Sequence, residues 1–233
     1  MKQIFALIGV CFLTVTVLTG CAATKQVPVK EERAICAFLG NEICNHLTAG
    51  KEGQPGLRWV NPDVQLTQYN KVIVEVIAFF GSDPAQVPRD QQQALADYFY
   101  NALTLKLAEI CPVVDRPGTG VMRIQVAILD AEAATPGMRT ISIVVPQLKL
   151  VGAATSLARE GKFPFAGGIQ AAWKITDSVT GQVLGAAVDR RTGGGSVKAA
   201  AQWQWGDAQN AIDVWAKLSA ERLYAYMSGA KKP

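Results

Sequence analysis

The stretch from Gly168 to Asp189, GIQAAWKITDSVTGQVLGAAVD, decides the fold of this chain. Two runs, Gly168 to Thr176 and Gln182 to Asp189, flank Asp177-Ser178-Val179-Thr180-Gly181, where a turn former is followed by a glycine suited to positive φ. The segment reads as a β-hairpin and therefore fixes at least one antiparallel pair of strands.

Working outward, Val121 to Leu129 alternates Met122, Ile124, Val126 and Ile128 against Arg123, Gln125 and Ala127, the period of a second strand region. Further upstream, Tyr69 to Phe79 places Val72, Val74 and Val76 on one side and Lys71, Ile73, Glu75 and Ile77 on the other, which reads as a strand with one fully apolar face. Between these strands, Asp90 to Ile110 spaces Leu95, Phe99, Leu103, Leu107 and Ile110 as one helical stripe, which Pro112 ends. Asp207 to Met227 carries Ile212, Trp215, Leu218, Leu223 and Tyr226, a second amphipathic helix with Asp207 near its positive end. The order strand, helix, strand, strand, strand, helix predicts an α+β fold: a two-layer domain with a mixed or antiparallel sheet of about four strands and helices packed on one face. Residues 35–230 are read as a single domain. Within it, Ile35 to Asp63 is punctuated by Gly50, Gly53, Pro55, Gly56 and Pro62 and reads as loop.

The chain has 233 residues, 49% hydrophobic and 18% charged, enough for one sizeable core. Its formal charge of +4 becomes +3 once Lys2 leaves with the first 20 residues, and no Lys/Arg-rich run is present, so no nucleic-acid partner is expected.

The N-terminus has its own logic. Lys2 precedes an apolar run from Ile4 to Leu18, shorter than the roughly 20 residues a spanning helix needs. Leu18-Thr19-Gly20-Cys21 resembles the bacterial lipobox. That resemblance implies a cleaved lipoprotein signal over residues 1–20, a diacylglycerol on Cys21, and a lipidated, flexible tether over residues 21–34. Two or more acyl chains hold a protein firmly on a membrane, where one does not. Because Ala22 rather than an Asp follows Cys21, the resemblance further implies the outer membrane of a Gram-negative bacterium, with the domain facing the periplasm.

The cysteines left in the mature chain are Cys36, Cys44 and Cys111. In an oxidising compartment Cys36 and Cys44 can bridge if Gly40-Asn41 turns the chain back; an unbroken helix would hold them about 12 Å apart and forbid it. Bridging of either to Cys111, or three free thiols, are the other outcomes the spacing leaves open. His46 is the only histidine, and no zinc-like spacing is present, so no metal and no cofactor are expected.

Six short stretches then fall in order: AFLGNE (residues 37–42), LRWVNP (57–62), YNKV (69–72), ALADYF (94–99), PVVD (112–115), and DSVTG (177–181) followed by Asp189-Arg190-Arg191. Together they resemble the bacterial lipoprotein family catalogued as domain of unknown function 3313, over roughly residues 36 to 226. The resemblance implies a lipid-anchored envelope protein and supplies no catalytic residue.

Chemistry is sparse elsewhere. Nothing near His46 resembles a nucleophile elbow, and no catalytic residue is assigned. Arg190 and Arg191 could clamp an anion, or they could be a strand end with an ion pair. Thr140 to Ala158, TISIVVPQLKLVGAATSLA, is apolar, yet Pro146, Gln147 and Lys149 at its middle exclude a membrane span. It is either core or a surface for an envelope partner or self-association. The leading expectation is a non-enzymatic binding or assembly module at the outer membrane. Its rival is a periplasmic hydrolase or anion-processing enzyme with a site near Asp189, Arg190 and Arg191.

Overall fold

The computed structural model describes residues 24–30, 33–80, 87–134, 166–194 and 204–230. Cys21 with its signal and the run Thr140 to Ala158 lie outside the described residues.

The hairpin is present as read. Strands β7 (Gly168–Asp177) and β8 (Val183–Gly193) pair antiparallel along their length, and Gly181 sits at φ 74°, the left-handed region a side chain resists. The Asp177 carboxylate accepts from the N–H groups of Val179 and Thr180, at 2.9 and 2.7 Å, and so holds the turn closed. β6 (Val121–Glu132) pairs antiparallel with β7 and forms the centre of the sheet.

Two shared edges complete it. On the outer edge of β6, β4 (Lys71–Val74) and β5 (Ala78–Phe79) pair in parallel, one after the other, with helix α3 (Arg89–Ala108) making the crossover that parallel pairing requires. On the outer edge of β8, β3 (Leu57–Val60) pairs with Gly185 to Val188 and β1 (Thr24–Gln26) with Arg191 to Gly193, both antiparallel. β2 (Thr48–Ala49) extends β3. The described sheet is mixed and eight-stranded, with main order β2-β3-β8-β7-β6-β4.

Several expectations change. The sheet has twice the strands read from sequence, because β1, β2, β3 and β5 run only two to four residues, too short for alternation to register. The supposed tether is partly structured, with Thr24–Gln26 ordered by hydrogen bonding to the open edge of β8. The supposed loop at 35–63 holds α1 (Arg33–Leu39), α2 (Asn41–His46), β2 and β3. The strand read over 69–79 is two short ones, β4 ending at Val74 and β5 at Ala78–Phe79. Val76 is 78% exposed while Ile77 is buried, so the single apolar face inferred from alternation is broken there.

Helices cover both faces, not one. On the first, α3 and α4 (Gly206–Met227) lie side by side and bury Leu95, Phe99, Leu103, Ile212 and Trp215 against Met122, Ile124, Trp173 and Leu184. On the second, α1 and α2 bury Ile35, Leu39 and Ile43 against Ala127, Leu129, Ala172, Ala186 and Val188. The small residues of β7 and β8 on that side allow a short helix pair to sit close. Gly40, at φ 92°, breaks α1 from α2 and brings Cys36 and Cys44 to a Cα separation of 5.6 Å, where a disulfide joins them. Cys111 is free and buried, and burial pushes its thiol pKa up.

Candidate functional site

The residues singled out from sequence do not converge. β8 places successive side chains on opposite faces, so Arg190 and Arg191 point apart. Arg190 is 3% exposed on the α1 side, where its Nη2 donates to Glu132 Oε1 at 3.2 Å. Lys30 donates to Asp130 and to the same Glu132, at 2.8 and 2.6 Å, and Gln170 joins the group through the Lys30 backbone. Arg191 lies on the α4 side, donating from Nε to Thr24 Oγ1 at 2.8 Å, with Nη1 3.8 Å from Asp189. The two guanidiniums thus serve separate structural networks.

Asp189 shares the α4 face with a cavity of about 130 Å³. The cavity lies between α3, the C-terminal half of α4, β3 and the sheet, and its walls are mostly apolar: Leu103, Leu107, Met122, Ile124, Trp173, Leu184, Trp215 and Leu223. Five polar side chains join them: Asp189 from β8, Arg58 from β3, and Ser219, Arg222 and Tyr226 from α4. Trp215, Ser219, Arg222 and Tyr226 follow at intervals of four, three and four, so they share one face of the helix.

The Asp189 carboxylate is occupied. Oδ2 accepts from the Trp215 indole Nε1 at 2.7 Å, and Oδ1 accepts from the Gly56 N–H at 3.0 Å and from Gln26 Nε2. A buried carboxylate with this many donors binds β1, β3, β8 and α4 together. The arginines differ. Arg58 donates to the Tyr226 hydroxyl at 2.9 Å and to Gln54 Oε1 at 3.2 Å, and Arg222 donates to the Gly53 carbonyl at 2.6 Å. Every one of these acceptors is neutral. Burial pushes the Arg222 pKa down, Asp189 and Tyr226 oppose that, and the nearby charges of Arg58 and Arg191 add to it. Trp173, in the cavity wall, has a buried indole N–H without a partner.

In the sequence Arg58 stands only within the LRWVNP stretch, and Arg222 belongs to no motif. The available signal was a charged residue at a position where the stripe of α4 should be apolar, next to Leu223. Trp205, at the start of α4, is a core residue, 1% exposed, and donates to Gln91 Oε1 on α3 at 2.6 Å. Among the described residues no helix is long and apolar enough to cross a membrane, and no group of three metal-ligating side chains is present.

Solved structures with a distant likeness include the PelC dodecamer from Paraburkholderia phytofirmans, at 13% identity over 69% of this chain and 95% of that one, TM-score 0.38. A point-substituted PelC in another crystal form gives 12% identity over 69% and 93%, TM-score 0.35. Protein XCC0632 from Xanthomonas campestris, assigned to family model DUF330, gives 9% over 73% and 91%, TM-score 0.41. At these values the likeness carries no functional argument. No curated protein matches the chain. The motifs, in their order along the sheet and helices, are those of one family: residues 38–219 match the model described as protein of unknown function (DUF3313), and the chain belongs to that family.

Proposed function

We propose that this chain is a lipid-anchored protein of the outer membrane, facing the periplasm, whose domain binds a small apolar ligand in the cavity between α4 and the sheet without transforming it. The carrying observation is the cavity itself. It is mostly apolar-walled, and the carboxylate in its lining, Asp189, is taken up by structural donors. A general base needs a lone pair to spare, and Asp189 offers little. The rival reading, a hydrolase or anion-processing site at Asp189, Arg190 and Arg191, loses Arg190 to the opposite face.

Anchoring fits the topology. Only Ala22 and Ala23 separate Cys21 from the first strand residue, Thr24, so a lipid on Cys21 would hold this end of the sheet within about 10 Å of the bilayer surface. Lys25, Thr192, Gly168 and Glu132 stand in one row across the sheet at that end. The apolar run Thr140 to Ala158 belongs to the connection that leaves the described fold at Ala134 and rejoins it at Ala166, beside the same row. A role for this run in contacting an envelope partner or a second copy is part of the proposal.

The test is purification from membranes, followed by extraction and mass spectrometry of whatever accompanies the protein. An apolar compound recovered unchanged after prolonged incubation supports binding. Its conversion to a cleaved product would favour the hydrolase.

A further inference from the structure

The polar groups at the cavity indicate what kind of ligand it takes, an inference that rests on reading the cavity as a binding site. Arg58 and Arg222 line the same cavity, and neither lies within ion-pair distance of a carboxylate among the described residues. Their acceptors are a hydroxyl, an amide oxygen and a peptide carbonyl. Each guanidinium carries five N–H donors, so donors remain on both. Two like charges held beside an apolar cavity repel each other, and each gives up part of its hydration; a bound oxyanion would relieve both costs. Asp189 acts on Arg222 from a distance but bonds neither Arg58 nor Arg222, because its oxygens are turned to Trp215, Gly56 and Gln26, and Arg191 shares its single charge. The rest of the lining is mostly hydrocarbon and aromatic, and about 130 Å³ suits a short alkyl chain of about six carbons, near benzene in size.

We propose that the ligand is an amphipathic anion, an alkyl chain ending in a carboxylate or a phosphate monoester. The chain lies against Leu103, Met122, Trp173 and Leu223, and the head is held by Arg58 and Arg222. The unpartnered Trp173 N–H offers a further donor to such a molecule or to water carried in with it.

Tryptophan fluorescence reads the site directly, because Trp173 and Trp215 form its wall. The mature chain from residue 21, carrying Cys21→Ser so that no acyl anchor competes, is titrated with hexanoate, hexyl phosphate and uncharged hexanol, chains matched to the cavity volume. The two anions are expected to bind at least about tenfold tighter than hexanol, and the better of the two identifies the head group. Arg58→Gln and Arg222→Gln are each expected to weaken anion binding about tenfold or more while leaving hexanol unchanged. If either variant fails to fold, the salt dependence of the unsubstituted protein decides: hexanoate binding weakens with added salt and hexanol binding does not. Equal binding of hexanol and hexanoate, or anion affinity indifferent to salt and to both substitutions, overturns the anionic ligand and leaves the cavity as an apolar site. Absence of binding by all three probes overturns both.

Discussion

The Trp215 indole donates a 2.7 Å hydrogen bond to the Asp189 carboxylate, and this buried contact fastens α4 to β8 at the rim of the cavity. It is the point at which the charge read from Asp189-Arg190-Arg191 becomes structure. Removing the acceptor by Asp189→Ala strands the donors of Trp215, Gly56 and Gln26 and leaves Arg191 without its counter-charge. A loss of about 3–5 kcal/mol in chemical denaturation is expected. Asp189→Asn keeps one oxygen and should lose about 1–3 kcal/mol. A wild-type denaturation midpoint in the Ala variant would show that the network contributes nothing.

The disulfide between Cys36 and Cys44 closes a loop of sequence separation 8 across Gly40. Chain entropy for so short a loop gives about 2.5 kcal/mol, so the Cys36→Ser, Cys44→Ser double variant should unfold at correspondingly lower urea. Thiol labelling supplies an independent count. Unreduced protein, once unfolded, should expose only Cys111 of these three, and the same thiol should resist labelling while the protein is folded because it is buried in the α3 core.

The Tyr69 hydroxyl donates to Asp177 Oδ2 at 3.0 Å and gives stability a pH signature at both ends. Burial, then Asp177, pushes the Tyr69 pKa up to about 12. The neutral phenol therefore contributes stability below the ordinary value near 10, which is lost as pH rises toward 12. The Thr180 N–H, with help from Val179, Tyr69 and the Thr180 hydroxyl and against burial, holds the Asp177 carboxyl below its ordinary value. That contribution is present above about pH 4 and is lost as pH falls through the folded value. Tyr98, bonded to Asp213 at 2.9 Å, is likewise pushed up to about 12, by burial and then by Asp213. Tyr69→Phe should therefore shallow the alkaline arm without removing it, and Asp177→Asn should shallow the acid arm. Denaturation midpoints measured from pH 2 to pH 12 check both; superimposable curves would refute the assignment.

Leu95 and Leu103 are equally buried on the same face of α3, but only Leu103 borders the cavity. Truncation to Ala costs about 2–5 kcal/mol in a packed core. Leu103 already lacks neighbours on one side, so Leu103→Ala should fall toward the low end and Leu95→Ala toward the high end. Equal losses would mean that the cavity closes in solution.

Gly181 tests the hairpin with which the reading began. At φ 74° a β-carbon costs about 1–2 kcal/mol, although no atom lies close enough to clash with it. Gly181→Ala should lower stability by that amount without changing the fold's circular dichroism; a neutral substitution would show that the turn adopts another conformation.

Local pattern alone determined much of this protein. The hairpin, the long strand at 121–132 and helices α3 and α4 each carry enough residues for a period of 2 or 3.6 to stand out from noise, and six short motifs placed the family between residues 36 and 226, against a matched span of 38–219. Tertiary structure decided the rest. β1, β3 and β5 are ordered by the open edges of β8 and β6, partners far away in the chain, and β2 by β3 in turn; their own two to four residues have no periodicity to read. The turn at Gly40 was visible as a propensity, but the bridge it permits formed because Ile35, Leu39 and Ile43 had a second sheet face of small residues to cover. Arg190 and Arg191, adjacent in sequence, were separated by the strand's alternation, whereas Arg58 and Arg222, 164 positions apart, were brought to one cavity by the pairing of β3 with β8 and the packing of α4 across it. Sequence carries what neighbours along the chain impose on one another; the meeting of β3 with α4 depends on which distant surfaces bury one another, and that is where the two guanidiniums came together.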